Sequence, residues 1–331
     1  MLLTIEKLIY GGDGLARLPA DSPHDDRGRG KAVFVPFVLA GEKIEASLGE
    51  QKPGFARGKA DAILEPSPHR IQPACPHFAR CGGCHYQHAT HQHQLEIKKE
   101  ILRESLGRMA KVDLPFAIEV HPSPPWNYRN RSRLQVQVSP VFAAGYFKLA
   151  SHELLAVEVC PISSPLINRG LASLWHSGRA GKVPEGVREV EFFANADDSQ
   201  LLVAVGCVGA ARRASVRVWA EEWRAAMPEI VGVVTFREAN PGDRKTGAQE
   251  ILVTVGASFL TYQTHVGFDG EIGNNRKNSL AVGGEFAAAG MNALRRGSNY
   301  HAHPRRLQSP RDRETNSFGA SCAGNHRYLF V

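Results

Sequence analysis

Three cysteines crowd into Cys75-Pro-His-Phe-Ala-Arg-Cys81-Gly-Gly-Cys84, and their C-x5-C-x2-C spacing constrains the fold more than any other feature of the chain. A fourth cysteine stands at Val159-Cys160-Pro161, at the end of an alternating apolar segment. Four thiolates enclose either a tetrahedral zinc ion or a [4Fe–4S] cube, so the chain is expected to bring Cys160 to the other three. Gly82 and Gly83 are read as the residues that let the backbone turn tightly enough for Cys81 and Cys84 to face one centre. Free buried thiols are the competing reading, and it suits the isolated Cys207 and Cys322. Spacing alone does not separate zinc from iron–sulfur, and His77, His85, His88, His91 and His93 add possible zinc ligands. Proline after Cys75 and Cys160 is common in cluster loops without being diagnostic.

The compartment matters to this reading, because clustered cysteines in a cytosolic chain point to a metal and not to disulfides. No run approaches the ~18 consecutive apolar residues of a membrane span, and Met1–Tyr10 lacks the composition of a signal peptide. A soluble, cytoplasmic protein is therefore expected. Its 331 residues, 43% of them hydrophobic, suffice for two or three domains. A net charge of +7 suits a polyanionic partner without proving one.

Short strands broken by Gly and Pro fill the first part of the chain: Leu2–Ile9, Ala32–Val35, Lys43–Leu48 and Gly58–Leu64. A Gly-rich turn at Gly11–Gly14 and a polar loop at Asp21–Lys31 separate them. That spacing predicts a small β-barrel over residues 1–66, and Pro66, Pro68 and Pro73 then make a stiff linker. Residues 67–266 read as an α+β domain. It holds the cysteine segment, a helix over Gln92–Met109 with an apolar stripe at Leu95, Ile97, Ile101, Leu102, Leu106 and Met109, and a helix over Ala211–Met227. Strands are expected at Leu134–Val138, Leu154–Val159, Glu189–Phe193, Leu201–Val205 and Ile230–Phe236. Ile251–Val255 and Phe259–Gln263 are expected as a final pair.

From about Gly267 the character changes. Phe268–Val331 holds 14 residues of Val, Ile, Leu, Met, Phe, Trp or Tyr in 64, too few to offset the entropy of ordering the chain, so residues 267–331 are expected to be disordered. A weak helical patch lies near Glu285–Leu294.

Three segments, taken in order, resemble the uracil-5-methyltransferases that modify 23S ribosomal RNA. Leu8-Ile9-Tyr10-Gly11-Gly12-Asp13-Gly14 with Val33-Phe34-Val35-Pro36 is similar to the TRAM domain, an OB-like RNA-binding barrel. The four cysteines follow, and Tyr128-Arg129-Asn130-Arg131 resembles the stretch that opens the family's central sheet. The likeness covers about residues 1–266. It implies a [4Fe–4S] cluster on Cys75, Cys81, Cys84 and Cys160, S-adenosylmethionine as methyl donor and 23S rRNA as partner. No membrane and no protein partner are implied. In the family, a cysteine thiolate adds to C6 of the flipped uracil, C5 then takes the methyl group, and a carboxylate removes the C5 proton as the thiolate leaves.

The resemblance ends before that machinery. The Asp-Leu-Tyr-Cys-Gly-x-Gly pattern of the cofactor loop is absent, and Val282-Gly283-Gly284 follows no convincing strand. Ser321-Cys322 echoes the nucleophile motif only superficially. No catalytic residue and no S-adenosylmethionine site are assigned, and the doubly wound methyltransferase domain is not recognisable. A truncation or a frameshift near Gly267 accounts for both the composition change and the missing motifs. Arg129, Arg131 and Arg133 alternate beside Tyr128, which suits phosphates and stacked bases of single-stranded RNA. A solvated edge strand is the plainer alternative. The chain is thus expected to supply the RNA-binding and cluster parts of an RNA (uracil-5-)methyltransferase and to be inactive alone. A non-catalytic RNA-binding iron–sulfur protein is the alternative.

Overall fold

Apolar residues recur at every second position in the first strands, and in the computed structural model they turn inward. The structure describes residues 1–19, 30–209, 211–238, 249–263 and 279–281. Its first strands are β1 (Leu2–Thr4), β2 (Lys7–Leu8), β3 (Gly14–Arg17), β4 (Ala32–Val35), β5 (Lys43–Gln51) and β6 (Phe55–Glu65). They pair in the order β1-β5-β6-β4-β3-β2. The two ends of that order are consecutive pieces of one stretch. Ile5 exchanges backbone hydrogen bonds with Gly41 and Glu42 on one side, while the Glu6 N–H donates to the Leu15 carbonyl on the other. The sheet therefore closes into a barrel, which leaves no open edge. Its core is Leu3, Ile5, Leu18, Val33, Val35, Val38 and Ile44.

The linker after the barrel is tied down. Glu42 is fully buried. Its carboxylate accepts from the Leu39 N–H at 2.8 Å, the Ser67 N–H at 3.1 Å, and Arg70 Nε and Nη2 at 2.6 and 2.7 Å. Arg70 also donates to the Phe37 carbonyl at 3.0 Å. Helix α1 (His91–Ser105) then packs back on the barrel. Ile97 meets Leu8, Leu39 and Ala89, and Lys7 pairs with Glu104 at 2.7 Å. The expected helix end at Met109 is a widened turn over Leu106–Ala110, closed by Lys111 in the left-handed region at φ 56°.

The second sheet is built from β7 (Arg131–Gln137), β8 (Ala143–Phe147), β9 (Leu154–Ala156), β10 (Val187–Ala194), β11 (Leu201–Cys207), β12 (Ile230–Glu238) and β13 (Gln249–Gly256). Their order is β13-β12-β11-β10-β7-β8-β9, antiparallel except between β11 and β12. That parallel pair needs a crossover, supplied by α3 (Arg213–Ala226). Helix α2 (Pro165–Arg179) packs beside α3 over the buried face of the sheet. The indole N–H groups of Trp219 and Trp223 donate to Ser177 and Ser173 of α2, each at 2.9 Å. No helix among the described residues is long and apolar enough to cross a membrane.

Several expectations change. Helix α2 and strand β8 are not anticipated from sequence, although the Ser164 hydroxyl accepts from the Ile167 N–H and Pro165 opens the helix, the standard start signal. Strand β7 lies inside the sheet, between β10 and β8, so it is not an edge strand. Ile251–Val255 pairs with β12 and not with Phe259–Gln263. Strand β14 (Thr261–Gln263) pairs instead with β15 (Ser279–Ala281), three residues inside the segment expected to be disordered. The rest of that segment, Glu285–Leu294 and Cys322 included, lies outside the described residues, as do residues 21–29 of the polar loop.

The Glu42–Arg70 pair should carry much of the coupling between barrel and linker. Removing one partner of a buried pair leaves the other uncompensated, so Arg70→Ala should lower stability by about 3 kcal/mol in chemical denaturation. Burial pushes the Glu42 carboxyl up, but the hydrogen bonds from Arg70, Leu39 and Ser67 outweigh it and hold the group below the ordinary carboxylate range. A lowered folded-state pKa means full stabilisation above the ordinary range, lost as pH falls through the lowered value. Glu42→Gln should flatten the acid limb of the stability–pH curve.

Candidate metal centre

Cys75, Cys81, Cys84 and Cys160 are all half-buried free thiols lining one small pocket. Their loops are brought together by backbone pairing. The Gly82 N–H donates to the Phe147 carbonyl at 3.1 Å and the Leu149 N–H to the Arg80 carbonyl at 2.8 Å, which pins the cysteine loop on the end of β8. Gly145 keeps β8 and β9 close there, since a Cβ on it would sit 2.0 Å from the Leu155 carbonyl oxygen. Beyond β9, Cys160 is clamped by Asn168 of α2. Asn168 Oδ1 accepts from the Cys160 N–H at 2.9 Å, and its Nδ2 donates to the carbonyls of Cys160 and Ser163 at 3.0 and 3.2 Å. Gln87 Oε1 accepts from the Cys75 N–H at 3.3 Å.

Gly82 and Gly83 lie in a turn between Cys81 and Cys84, but not because they need a left-handed backbone. Neither adopts a positive φ; the left-handed residue of the loop is Ala79 at φ 64°. A Cβ on Gly82 would meet the Phe147 carbonyl oxygen at 3.4 Å, and one on Gly83 the Cys81 sulfur at 3.5 Å, both near ordinary contact. Hydrogen bonds to the His77 carbonyl from the Arg80 and Cys81 N–H groups make a further turn just before Gly82.

Burial, followed by the neighbouring thiols Cys84, Cys160 and Cys75, pushes the Cys81 thiol up, while the Gly83 N–H works against it. The Cys84 thiol is also raised by burial, opposed by Gln87 and by Arg129. Among the described residues, no three His, Cys, Asp or Glu side chains are arranged to ligate a single metal ion. Of the five histidines considered as zinc ligands, His77 alone lines the pocket. His88 is buried with Nε2 at 3.2 Å from the Val38 carbonyl, and His93 stacks on His69 at 4.2 Å. Cys207 is buried in the core of the second sheet, as expected of an isolated cysteine.

The residues expected to touch RNA are dispersed. Arg131 pairs with Glu191, and Arg133 reaches Glu191 at 3.2 Å and Glu189 at 3.5 Å, so cross-strand carboxylates of β10 already meet their charge. Arg129 precedes β7 and lines the cysteine pocket. Tyr128 is half exposed on a different feature, a groove of about 800 Å³ between α1 and the Pro-rich stretch before Tyr128. Lys98 and Leu102 form one wall, Trp126 and Tyr128 the other, and Cys84–Tyr86 the floor. Sequence periodicity could have found the Lys98 side of this groove, because Leu95, Lys98, Lys99 and Leu102 share one helix face.

About half of the chain is similar in sequence to 23S rRNA (uracil-C5)-methyltransferases. It is 39% identical over 152 residues to the 23S rRNA (uracil(1939)-C(5))-methyltransferase RlmD of Erwinia tasmaniensis, covering 44% of this chain and 34% of that one. It is 36% identical over 167 residues to an uncharacterized RNA methyltransferase of Aquifex aeolicus, covering 50% and 36%. The matched region thus spans about a third of the length of these curated relatives. No protein-family model matches. A solved structure, the Pyrococcus abyssi tRNA (uracil-54, C5)-methyltransferase in complex with S-adenosyl-L-homocysteine, shares the fold. Its TM-score is 0.54 at 19% identity, over 80% of this chain and 57% of that chain.

Asn168 carries the sharpest structural test of the site. Asn168→Ala removes three hydrogen bonds from the Cys160 loop, which should cost about 1–3 kcal/mol. Faster labelling of Cys160 by a thiol reagent in the folded protein is expected, with Cys207 unchanged as the internal control.

Proposed function

We propose that this chain supplies the RNA-binding and iron–sulfur parts of a cytoplasmic, S-adenosylmethionine-dependent 23S rRNA (uracil-5-)methyltransferase. The single observation that carries the proposal is the convergence of Cys75, Cys81, Cys84 and Cys160 on one pocket. Four thiols are a donor set for a [4Fe–4S] cube as well as for zinc, and the sequence likeness to the uracil-5-methyltransferases is what favours the cluster. When bound, the cluster supplies Fe–S bonds that cross-link the loop at Cys75–Cys84 to the end of the β9 segment. Methyl transfer moves no net electrons, so the centre serves structure.

The closed barrel over Leu2–Glu65 is read as a TRAM-type RNA-holding module. RNA contact is assigned to the groove beside Tyr128 and Lys98, and no longer to Arg131 and Arg133, whose charge is already met. Aromatic faces with a cation nearby suit stacked, single-stranded bases. The second reading, a non-catalytic RNA-binding iron–sulfur protein, is favoured by the missing cofactor-loop pattern.

Purified chain given iron and sulfide under argon should turn brown, and Cys160→Ser should reduce the chromophore several-fold. Zinc uptake with no chromophore would overturn the cluster. Given S-adenosylmethionine and an rRNA fragment, this chain alone should yield no 5-methyluridine while still binding the RNA. Methylated product would show that it carries the catalytic machinery after all.

A further inference from the structure

The cysteine pocket has a polar side that its four thiols do not explain. Six buried side-chain polar atoms lack a hydrogen-bond partner among the described residues, and two of them, His77 Nδ1 and the Tyr146 hydroxyl, belong to residues lining this pocket. An orphaned buried donor or acceptor costs about 1–3 kcal/mol, so native proteins keep few without a reason. Gln87 and Arg129 are further polar residues on the wall, and both act on Cys84. By contrast, Arg131 and Arg133 are paired with carboxylates.

We infer that His77, Tyr146 and Arg129 are positioning residues for the centre held by the four cysteines, donating hydrogen bonds and positive charge to its sulfur atoms. This rests on the iron–sulfur reading above. A [4Fe–4S] core held by four thiolates carries net negative charge in a partly buried site. Such charge needs donors and a compensating cation. Tyr146 suits the part because its buried hydroxyl stands on the pocket wall beside Cys160. Ser132 and Ser163, bonded to each other at 2.8 Å, also act on this hydroxyl, as does Cys160. Arg129 offers a fixed charge and several N–H donors, which makes it part of the cysteine site and not an RNA contact. The competing account is a trapped water. The cavity measures about 30 Å³, enough for one, and a water would satisfy the same orphaned atoms in the metal-free protein.

The two accounts separate in the full chain reconstituted with iron and sulfide. Hydrogen bonds and positive charge directed at cluster sulfurs favour the reduced, more negative state. Tyr146→Phe, His77→Phe and Arg129→Gln should therefore each shift the reduction potential to more negative values in a titration followed by electron paramagnetic resonance. Each should also bleach several-fold faster in air. Arg169→Gln, an exposed residue paired with Glu229, should change neither. Metal-free Tyr146→Phe should melt no lower than the parent chain. An intact cluster with unshifted potential and bleaching rate in all three variants would overturn the inference and leave the cluster standing, and so would a loss of metal-free stability without a change in potential. Failure of the parent chain to form any chromophore would sink the iron–sulfur reading, and this inference with it.

Discussion

Cys160 reaches Cys75, Cys81 and Cys84 because two separate elements of the second sheet hold the two ends of the constellation. Strand β8 offers its terminal backbone groups to the cysteine loop, and Asn168 of α2 grips the peptide of Cys160. Both anchors are themselves held by the main core. Trp175 of α2 donates its indole N–H to the Val157 carbonyl at 2.9 Å, just after β9, and packs edge-on against Phe142 ahead of β8. The pocket is therefore a product of how α2 lies on the sheet.

The same economy of charge runs through the chain. A surplus of basic residues invites the thought that arginine means RNA. On β7 the surplus is spent within the protein, since Glu189 and Glu191 stand directly across from Gln135 and Arg133 in the ladder. Coulomb attraction across a half-buried sheet outcompetes a solvated phosphate when the carboxylate is already in register. The groove between α1 and the Pro-rich stretch is lined by Lys98, Trp126 and Tyr128.

Between the barrel and the cysteine segment, the linker is held by a buried carboxylate, not by the stiffness of its prolines. Glu42 satisfies the Leu39 and Ser67 N–H groups and binds Arg70, whose guanidinium also caps Phe37. His88 reaches the Val38 carbonyl, and Ile97 joins the cluster around Leu39. These contacts make the barrel a wall against which the cysteine loop is built.

Much of this was legible in one dimension. Periodicity placed most of the first sheet's strands, though not β3, and helices α1 and α3 within a few residues, because such signals are local consequences of backbone geometry. Helix α2 was missed although Ser164-Pro165 and the run Leu166, Ile167, Leu171, Leu174, Trp175 carried a readable start and stripe. The destinations of Arg129, Arg131 and Arg133 were not readable at all. Alternation says which residues share a face of a strand, but the sheet's strand order decides what lies opposite them. Only the tertiary structure set Glu191 across from the arginines, and His77 and Tyr146 beside the four thiols. Those meetings join residues as much as 85 positions apart in sequence, such as Cys75 and Cys160, and long-range pairing leaves no mark on local composition.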